Sequence, residues 1–334
     1  MKKMTFLYIL TFLIFSSCNK SFIYEIIKIE PSFIIEELND SCFFKDIKYM
    51  CEFDNSLYIS DEYNGRLLVI DNNMNLTNII GRNGNGPGDF WGIGCVNIYN
   101  DTIFVVDAGN LRVNKFSIDG KYVGNSTISD YSTTINNFIV DNAGYFYFSS
   151  FIEDQPIVKY DNNLYKIKVF GHKAIEEHNI ETKAANRFLL QYFQNDILTM
   201  QTDYPIINKY DKDGFFVGSY MLEQSLFKSR LFFKKQQITK DPENRKKTYN
   251  IFRSIAILHN KLFVLYIDHY NENIFCNKIA ELEYKDDNFI INRVYQLSQS
   301  NDWFQSICFF NGKLFAFNGS KASFFIYDND VFSK

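Results

Sequence analysis

Short apolar runs separated by polar turns recur along the whole chain. Within residues 57–90 an apolar run is followed by a polar loop, and a second apolar run ends in an Asp turn. Apolar runs of four to eight residues bounded by turn residues are typical of short antiparallel strands. The pattern therefore predicts an all-β protein made of repeated small sheets.

Two sets of turns give the number of repeats, because Asn and Asp suit the tight turns of hairpins. The Asn turns lie at Asn55, Asn100, Asn142, Asn195, Asn260 and Asn311, and the Asp turns lie at Asp71, Asp119, Asp161, Asp211, Asp286 and Asp328. Six repeats with a period of roughly 40 to 50 residues predict a six-bladed β-propeller of four-stranded antiparallel blades. No fourth strand follows the sixth repeat, so we expect an N-terminal strand within residues 32–38 to complete the last blade and close the ring.

The lengths of the connections predict two unlike faces of the propeller. The turns between first and second strands and between third and fourth strands are tight throughout, and the long connections meet on the opposite, loop-rich face. Loops held by a rigid scaffold commonly carry binding sites, so we expect any site on this face, near the central channel. The longest connection, residues 223–250, is basic. It is interpreted either as a solvated loop with a short helix or as a basic arm for an anionic glycan or lipid headgroup.

The first 17 residues have the layout of a secretory signal peptide. Lys2 and Lys3 precede an apolar stretch, and two serines precede Cys18. The sequence FSSC resembles a bacterial lipoprotein box, and this resemblance implies lipid modification of Cys18. We therefore divide the chain into a signal peptide (1–17), a tether (18–31) and a propeller (32–334). The alternative is an ordinary cleaved signal and a soluble periplasmic protein.

Composition and charge exclude several classes of function. The chain has 46% hydrophobic residues, 18% aromatic residues and a formal net charge of −4, so it lacks the basic footprint of a nucleic-acid-binding protein. Five cysteines besides Cys18 form no CxxC or Cys/His cluster, and Cys51 and Cys308 occupy matching places in two repeats. We interpret these cysteines as packing residues and expect neither a metal nor a cofactor.

A Gly-rich stretch, GRNGNGPGDF at residues 81–90, stands out from the other connections. It lacks the GK[ST] sequence and the following helix of a phosphate-binding loop. We interpret it first as a sharp crossing between two blades that needs glycine backbone geometry. Arg82 and Trp91, which flank it, are candidate ligand-binding residues.

Acidic and basic residues supply the remaining candidates. Asp61 and Asp107 each end a second strand, and each is followed five residues later by an arginine, Arg66 and Arg112. Such pairs either join neighbouring blades or bind a ligand. Two further candidates are Asp203 and His269.

The Gly-rich stretch and the repeat before it carry a family resemblance. They resemble the NHL-like six-bladed β-propeller lipoproteins of Bacteroidetes, whose early blades end in a GxGPGEF-like stretch, here with Asp89 in place of Glu. The specific residues lie within residues 61–116, and the later blades are degenerate. The resemblance implies a propeller in the cell envelope and assigns no activity.

These patterns predict an envelope-anchored binding or scaffolding module. The expected location is the outer membrane, facing the periplasm, and the expected partners are the membrane itself, a glycan, a peptidoglycan fragment or an envelope protein. No nucleophile elbow or other recognisable catalytic set occurs in the sequence. The alternative is a lactonase-like or lyase-like propeller enzyme that acts in the central channel, with or without a bound metal ion. Its candidate catalytic residues are Asp61, Asp107, Asp203 and His269.

Overall fold

The computed structural model describes residues 24–38, 42–128, 133–150, 155–172, 188–243, 249–270, 273–298 and 302–332. These residues form six sheets. The first strand of each blade contacts the first strand of the next blade, and the first strand of blade six contacts that of blade one. The prediction of a ring of six four-stranded antiparallel blades is therefore confirmed.

Two short strands, β1 (Ile26–Lys28) and β2 (Phe33–Ile35), precede the blades. In each blade the strands then run outward from the channel in chain order. Their bounds are, in blade one, β3 (Ile47–Phe53), β4 (Ser56–Asp61), β5 (Arg66–Asp71) and β6 (Leu76–Ile80); in blade two, β7 (Ile93–Tyr99), β8 (Thr102–Asp107), β9 (Arg112–Ser117) and β10 (Tyr122–Thr127); in blade three, β11 (Thr133–Val140), β12 (Phe146–Ser150), β13 (Ile157–Tyr160) and β14 (Lys166–Phe170); in blade four, β15 (Phe188–Phe193), β16 (Asp196–Gln201), β17 (Ile206–Tyr210) and β18 (Phe216–Met221); in blade five, β19 (Phe252–Leu258), β20 (Lys261–Tyr270), β21 (Asn273–Lys285) and β22 (Asn288–Gln296); and in blade six, β23 (Phe304–Phe310), β24 (Lys313–Asn318) and β25 (Ser323–Asp328).

The tight turns have the local chemistry that the sequence indicates. Five of the six turn asparagines have a positive φ: Asn55, Asn100, Asn195, Asn260 and Asn311. Asn142 does not, because Gly144 takes the left-handed position of that turn, with a φ of +83°. Between third and fourth strands, Asp161 Oδ1 accepts hydrogen bonds from the backbone N–H groups two and four residues later.

The N-terminal strands join the last two blades. β2 pairs antiparallel with β25, so it forms the fourth strand of blade six. β1 pairs parallel with β22 and adds a fifth strand to blade five. Ile29 is buried between blades five and six. The later part of the segment that we predicted as a tether is therefore packed on the propeller, whereas the predicted signal peptide and Cys18 lie outside the described residues.

The hydrophobic core lies between neighbouring sheets and does not form one central mass. Leu57 and Ile59 of blade one, for example, pack against Phe317 and Phe324 of blade six. Full burial of each such side chain contributes roughly 1.5–3 kcal/mol. The contact between the last and first blades is therefore as well packed as an ordinary core, and this packing holds the ring together.

The basic insertion differs from the solvated loop with a short helix that we gave as one interpretation, because its helix is longer and is docked on a blade. It contains a helix of 17 residues, α1 (Gln224–Lys240), which begins after Glu223, whose carboxylate accepts a hydrogen bond from Ser225 N–H. Phe227 is buried, with ring centroids 5.2 Å from Phe252 and 5.4 Å from Tyr266. These contacts dock the helix on blade five, because an aromatic side chain in the apolar groove there is removed from water.

Candidate functional site

The inner strands of all six blades enclose a cavity of about 400 Å³ on the propeller axis. Its wall includes residues of β3, β7, β11, β15, β19 and β23. A cavity of this size is in the range of small-molecule sites. This channel cavity is the first candidate functional site.

Polar side chains of the inner strands connect neighbouring blades. Their hydrogen bonds are Asn97 Nδ2 to Phe138 O (2.8 Å), Leu190 N to Asn137 Oδ1 (3.4 Å), Ile307 N to Ser254 Oγ (3.2 Å) and Ser306 Oγ to Ile47 O (2.7 Å). Each bond satisfies a backbone group at the inner edge of a blade. These side chains are therefore explained by closure of the ring.

Arg253 lines the same cavity but has no such role. It is the second residue of β19 and lies at a bulge in the pairing with β20. Because the inner strands begin at the loop-rich face, Arg253 lies near that end of the channel. Its Nε is buried without a hydrogen-bond acceptor, and within the described part of the chain no carboxylate forms an ion pair with it. Lys48, which also lines the cavity, pairs instead with Asp46 and Glu62. Arg253 thus brings to the channel a positive charge with no ion pair among the described residues, although Glu52 also lines the cavity. A bound anion would supply the acceptor that its Nε lacks.

Three cysteines also line the channel cavity: Cys51, Cys95 and Cys308. Burial raises the pKa of Cys95 and of Cys308 to about 12, so both thiols are neutral at physiological pH. Cys95 Sγ donates to Phe138 O at 3.5 Å. The neutral thiols of Cys95 and Cys308 thus add no charge to the channel wall, in agreement with the interpretation of the cysteines as packing residues.

The two Asp–Arg pairs lie in matching loops between second and third strands. Both carboxylates, Asp61 and Asp107, are fully buried. Each accepts two hydrogen bonds at Oδ2, one from the Asn three residues later at 2.7 Å and one from the paired arginine, Arg66 at 3.1 Å or Arg112 at 2.9 Å. The pairs therefore stabilise the loops that carry them.

Arg112 also joins this loop to the Gly-rich crossing. It donates to Gly86 O at 2.8 Å and to Asp89 O at 2.9 Å, and Trp91 N–H donates to Asp107 Oδ1 at 2.7 Å. The crossing is thereby fixed against blade two, which supports its interpretation as a corner of the ring.

The two candidates that flank the crossing lie on the surface. The Arg82 side chain is exposed and forms an ion pair with Asp89 at 3.1 Å, and the Trp91 side chain is also exposed. Neither lines the channel cavity.

Asp203 and His269 each lie beside α1. Asp203 Oδ2 accepts a hydrogen bond from Tyr249 N–H at 3.1 Å and lies 4.0 Å from Lys234 Nζ. Burial raises the pKa of Asp203, and the charge of Lys234 opposes this shift. The His269 ring lies 4.1 Å from the ring of Phe233, the residue before Lys234. Both candidates therefore contact the docked helix, and neither lines the channel cavity.

A second cavity, of about 690 Å³, lies between α1, β1 and the outer ends of β20 and β21. In its wall Asp268 accepts hydrogen bonds from Lys278 Nζ at 2.6 Å and from Ser229 Oγ. Burial alone would raise the pKa of Asp268, but these hydrogen bonds outweigh it, so the pKa is lowered. This cavity could not be predicted from the sequence, because it exists only where the insertion contacts a blade.

Asp268→Asn is expected to make the protein less stable by about 1–2 kcal/mol at pH 7, because the ionised carboxylate loses its bond to Lys278. The folded pKa of Asp268 lies below its usual value of 3.8. Its stabilising contribution is therefore present above that value and is lost as the pH falls through the lowered pKa. Urea unfolding of the variant and of wild type at pH 7 and pH 3 should show a difference that shrinks at pH 3. The exposed Asp54→Asn serves as control, and a difference that is equal at both pH values would contradict this account.

The described residues contain neither a metal-binding cluster nor a membrane-spanning helix. Among them, no group of three or more His, Cys, Asp or Glu side chains is arranged to hold a metal ion. None of the helices described there is both long enough and apolar enough to cross a bilayer.

Comparison with known families agrees with the architecture. A family model described as a six-bladed β-propeller matches residues 8–211. The chain belongs to this family, DUF5128. The match includes the Gly-rich crossing and the first blades, which are also the segments that carry the resemblance found in the sequence. No curated protein sequence matches the chain.

Solved structures with a similar fold come from several bacteria. An exported protein of Bacteroides fragilis has a TM-score of 0.61 and 15% identity over 87% of each chain. A catalytically inactive virginiamycin B lyase of Staphylococcus aureus, solved with quinupristin, has a TM-score of 0.53 and 10% identity over 90% of each chain. A Bacteroides thetaiotaomicron protein of unknown function has a TM-score of 0.51 and 10% identity over 86% of this chain and 70% of that one. At these identities the similarity concerns the fold alone.

Proposed function

We propose that the protein is an envelope-anchored binding module that takes a carboxylate-bearing glycan or peptidoglycan fragment into the channel from the loop-rich face. Arg253 carries this proposal, because it lines the channel cavity and its buried Nε has no hydrogen-bond acceptor among the described residues. A guanidinium Nε that is buried without an acceptor is unfavourable, and a carboxylate supplies both an acceptor and the opposite charge. The carboxylates of the Asp–Arg pairs, in contrast, are already held in structural contacts.

The envelope location rests on the N-terminal sequence. The signal-like residues 1–17 and the lipoprotein box at Cys18 support attachment through a lipid, as in the NHL-like lipoproteins that the sequence resembles. The exported Bacteroides fragilis protein with a similar fold is consistent with this location. We propose the outer membrane, with the propeller facing the periplasm, where peptidoglycan fragments are present.

A retention experiment tests the proposed ligand class. Residues 18–334 with Cys18→Ala are immobilised and incubated with soluble muropeptides from digested peptidoglycan, with oligogalacturonate, and with both probes after conversion of their carboxylates to methylamides. We expect retention of at least one acidic probe and loss of that retention on amidation. Failure to retain either acidic probe, or equal retention of the amidated form, would overturn the proposal.

A further inference from the structure

The helix α1 buries basic side chains and exposes an aromatic one, the opposite of the usual distribution. Arg230 and Lys234 are buried, at 7% and 8% exposure, whereas Phe232 is 59% exposed. Phe232 shares the outward face with Lys228 and Lys235, because residues at i, i+4 and i+7 align along a helix. Both lysines are exposed. The helix thus presents an aromatic side chain between two positive charges to the outside.

Two other exposed residues extend this surface. Tyr270 at the end of β20 is 68% exposed, and Ile26 of β1 is 44% exposed; both line the second cavity together with Phe232 and Lys228. We name the surface formed by Ile26, Lys228, Phe232, Lys235 and Tyr270 the α1 patch. Apolar and aromatic side chains flanked by lysines are typical of surfaces that lie in the interface of an anionic bilayer. The lysines would contact the headgroups, while the aromatic rings would enter the boundary with the acyl chains.

The course of the chain gives a reason for a membrane to cover this patch. Tyr24 lines the second cavity and packs beside α1, so the N-terminal segment reaches the propeller at the α1 patch. Only residues 19–23 lie between Cys18 and Tyr24. The six steps from Cys18 to Tyr24 span at most about 20 Å when fully extended. A lipid on Cys18 would therefore keep the α1 patch within a short distance of the bilayer.

We propose that the α1 patch lies on the anionic surface of the membrane that holds the lipid anchor. The orientation rests on the proposed anchoring at Cys18, whereas the affinity of the patch for lipid does not. With α1 against the bilayer, the propeller is oriented by its protein surface as well as by its tether. Two attachments are the usual requirement for stable anchoring when a single acyl chain binds only weakly.

Vesicle co-sedimentation of residues 18–334 with Cys18→Ala tests the patch without the lipid. We expect binding to phosphatidylcholine vesicles that contain 30% phosphatidylglycerol and at least fivefold weaker binding to pure phosphatidylcholine. Phe232→Ser and the pair Lys228→Glu with Lys235→Glu should each reduce the bound fraction at least threefold. The matched controls are Tyr165→Ser and the pair Lys212→Glu with Lys285→Glu, all at exposed positions outside the patch, and they should bind like the parent.

Three separate measurements distinguish the lipid affinity of the α1 patch from lipid modification of Cys18 and from ligand binding in the channel. Absence of binding to the phosphatidylglycerol vesicles, or binding that the patch variants leave unchanged, would overturn the α1 patch proposal. Incorporation of a fatty-acid analogue in cells tests the lipid on Cys18, and muropeptide retention tests the channel. Binding to vesicles without incorporation of the analogue would refute the anchor and leave the lipid affinity of the patch in place.

Discussion

Asp107→Ala is expected to destabilise the propeller by about 3–5 kcal/mol, because it removes one partner of a buried ion pair. The fully buried Asp107 carboxylate accepts hydrogen bonds from Trp91 N–H, the Asn110 side chain and Arg112 Nε. Without it the Arg112 guanidinium stays buried with no counter-ion. Since Arg112 also holds two carbonyl groups of the Gly-rich crossing, the loss affects the contact between blades one and two.

Urea unfolding at equilibrium measures this effect. Asp61→Ala should cost somewhat less than Asp107→Ala, because the carboxylate of Asp61 accepts from two side chains and, among the described residues, from no backbone N–H. Glu36→Ala, at an exposed position, should stay within about 0.5 kcal/mol of wild type. An Asp107→Ala protein with the wild-type unfolding midpoint would show that the pair does not hold the ring together.

Arg253→Gln is expected to change stability in the opposite direction, raising it by about 1 kcal/mol. The substitution replaces a charge that is partly removed from water, and that forms no ion pair among the described residues, by a neutral amide, which lowers the desolvation cost. The same change should weaken binding of an acidic ligand at least tenfold. A gain in stability combined with a loss of binding is the behaviour of residues kept for function rather than for folding.

Urea unfolding with Arg82→Gln as the matched control isolates this effect. Arg82 is exposed and has a surface ion pair, so its replacement should change stability by less than about 0.5 kcal/mol. A loss of more than 1 kcal/mol in Arg253→Gln would instead indicate that Arg253 is held by structural contacts, and the argument for an anion in the channel would fail.

The architecture could be predicted from sequence because its determinants are local. A tight turn needs a left-handed residue at a fixed place, and Asn55, Asn100 and their counterparts mark the repeats. Asn142 shows the limit of that rule, because the glycine two residues later takes the left-handed position. The extra strand β1 could not be predicted, because its three residues show no alternation of apolar and polar side chains. They form a strand only by pairing in parallel with the edge of a blade that is distant in the sequence.

The channel site was harder to predict, because it is assembled from six strands that are distant in the sequence. Which side chain of an inner strand reaches the channel depends on a bulge in its pairing, and Arg253 lies at such an irregularity. A basic residue in the otherwise apolar run FRSIAIL was the only local sign. Asp203 and His269 were predicted as channel residues for the alternative enzyme, but the docking of α1 brings them to the helix. The sequence could not show this, because most of the contact surface belongs to the insertion.

Binding of an acidic probe to the channel tests the central claim most directly. Calorimetric titration of wild type and Arg253→Gln with the acidic muropeptide or oligogalacturonate that the wild type retains gives both affinities under one set of conditions. The account predicts a loss of at least tenfold in Arg253→Gln and wild-type affinity in Arg82→Gln. Equal affinity of wild type and Arg253→Gln would contradict it.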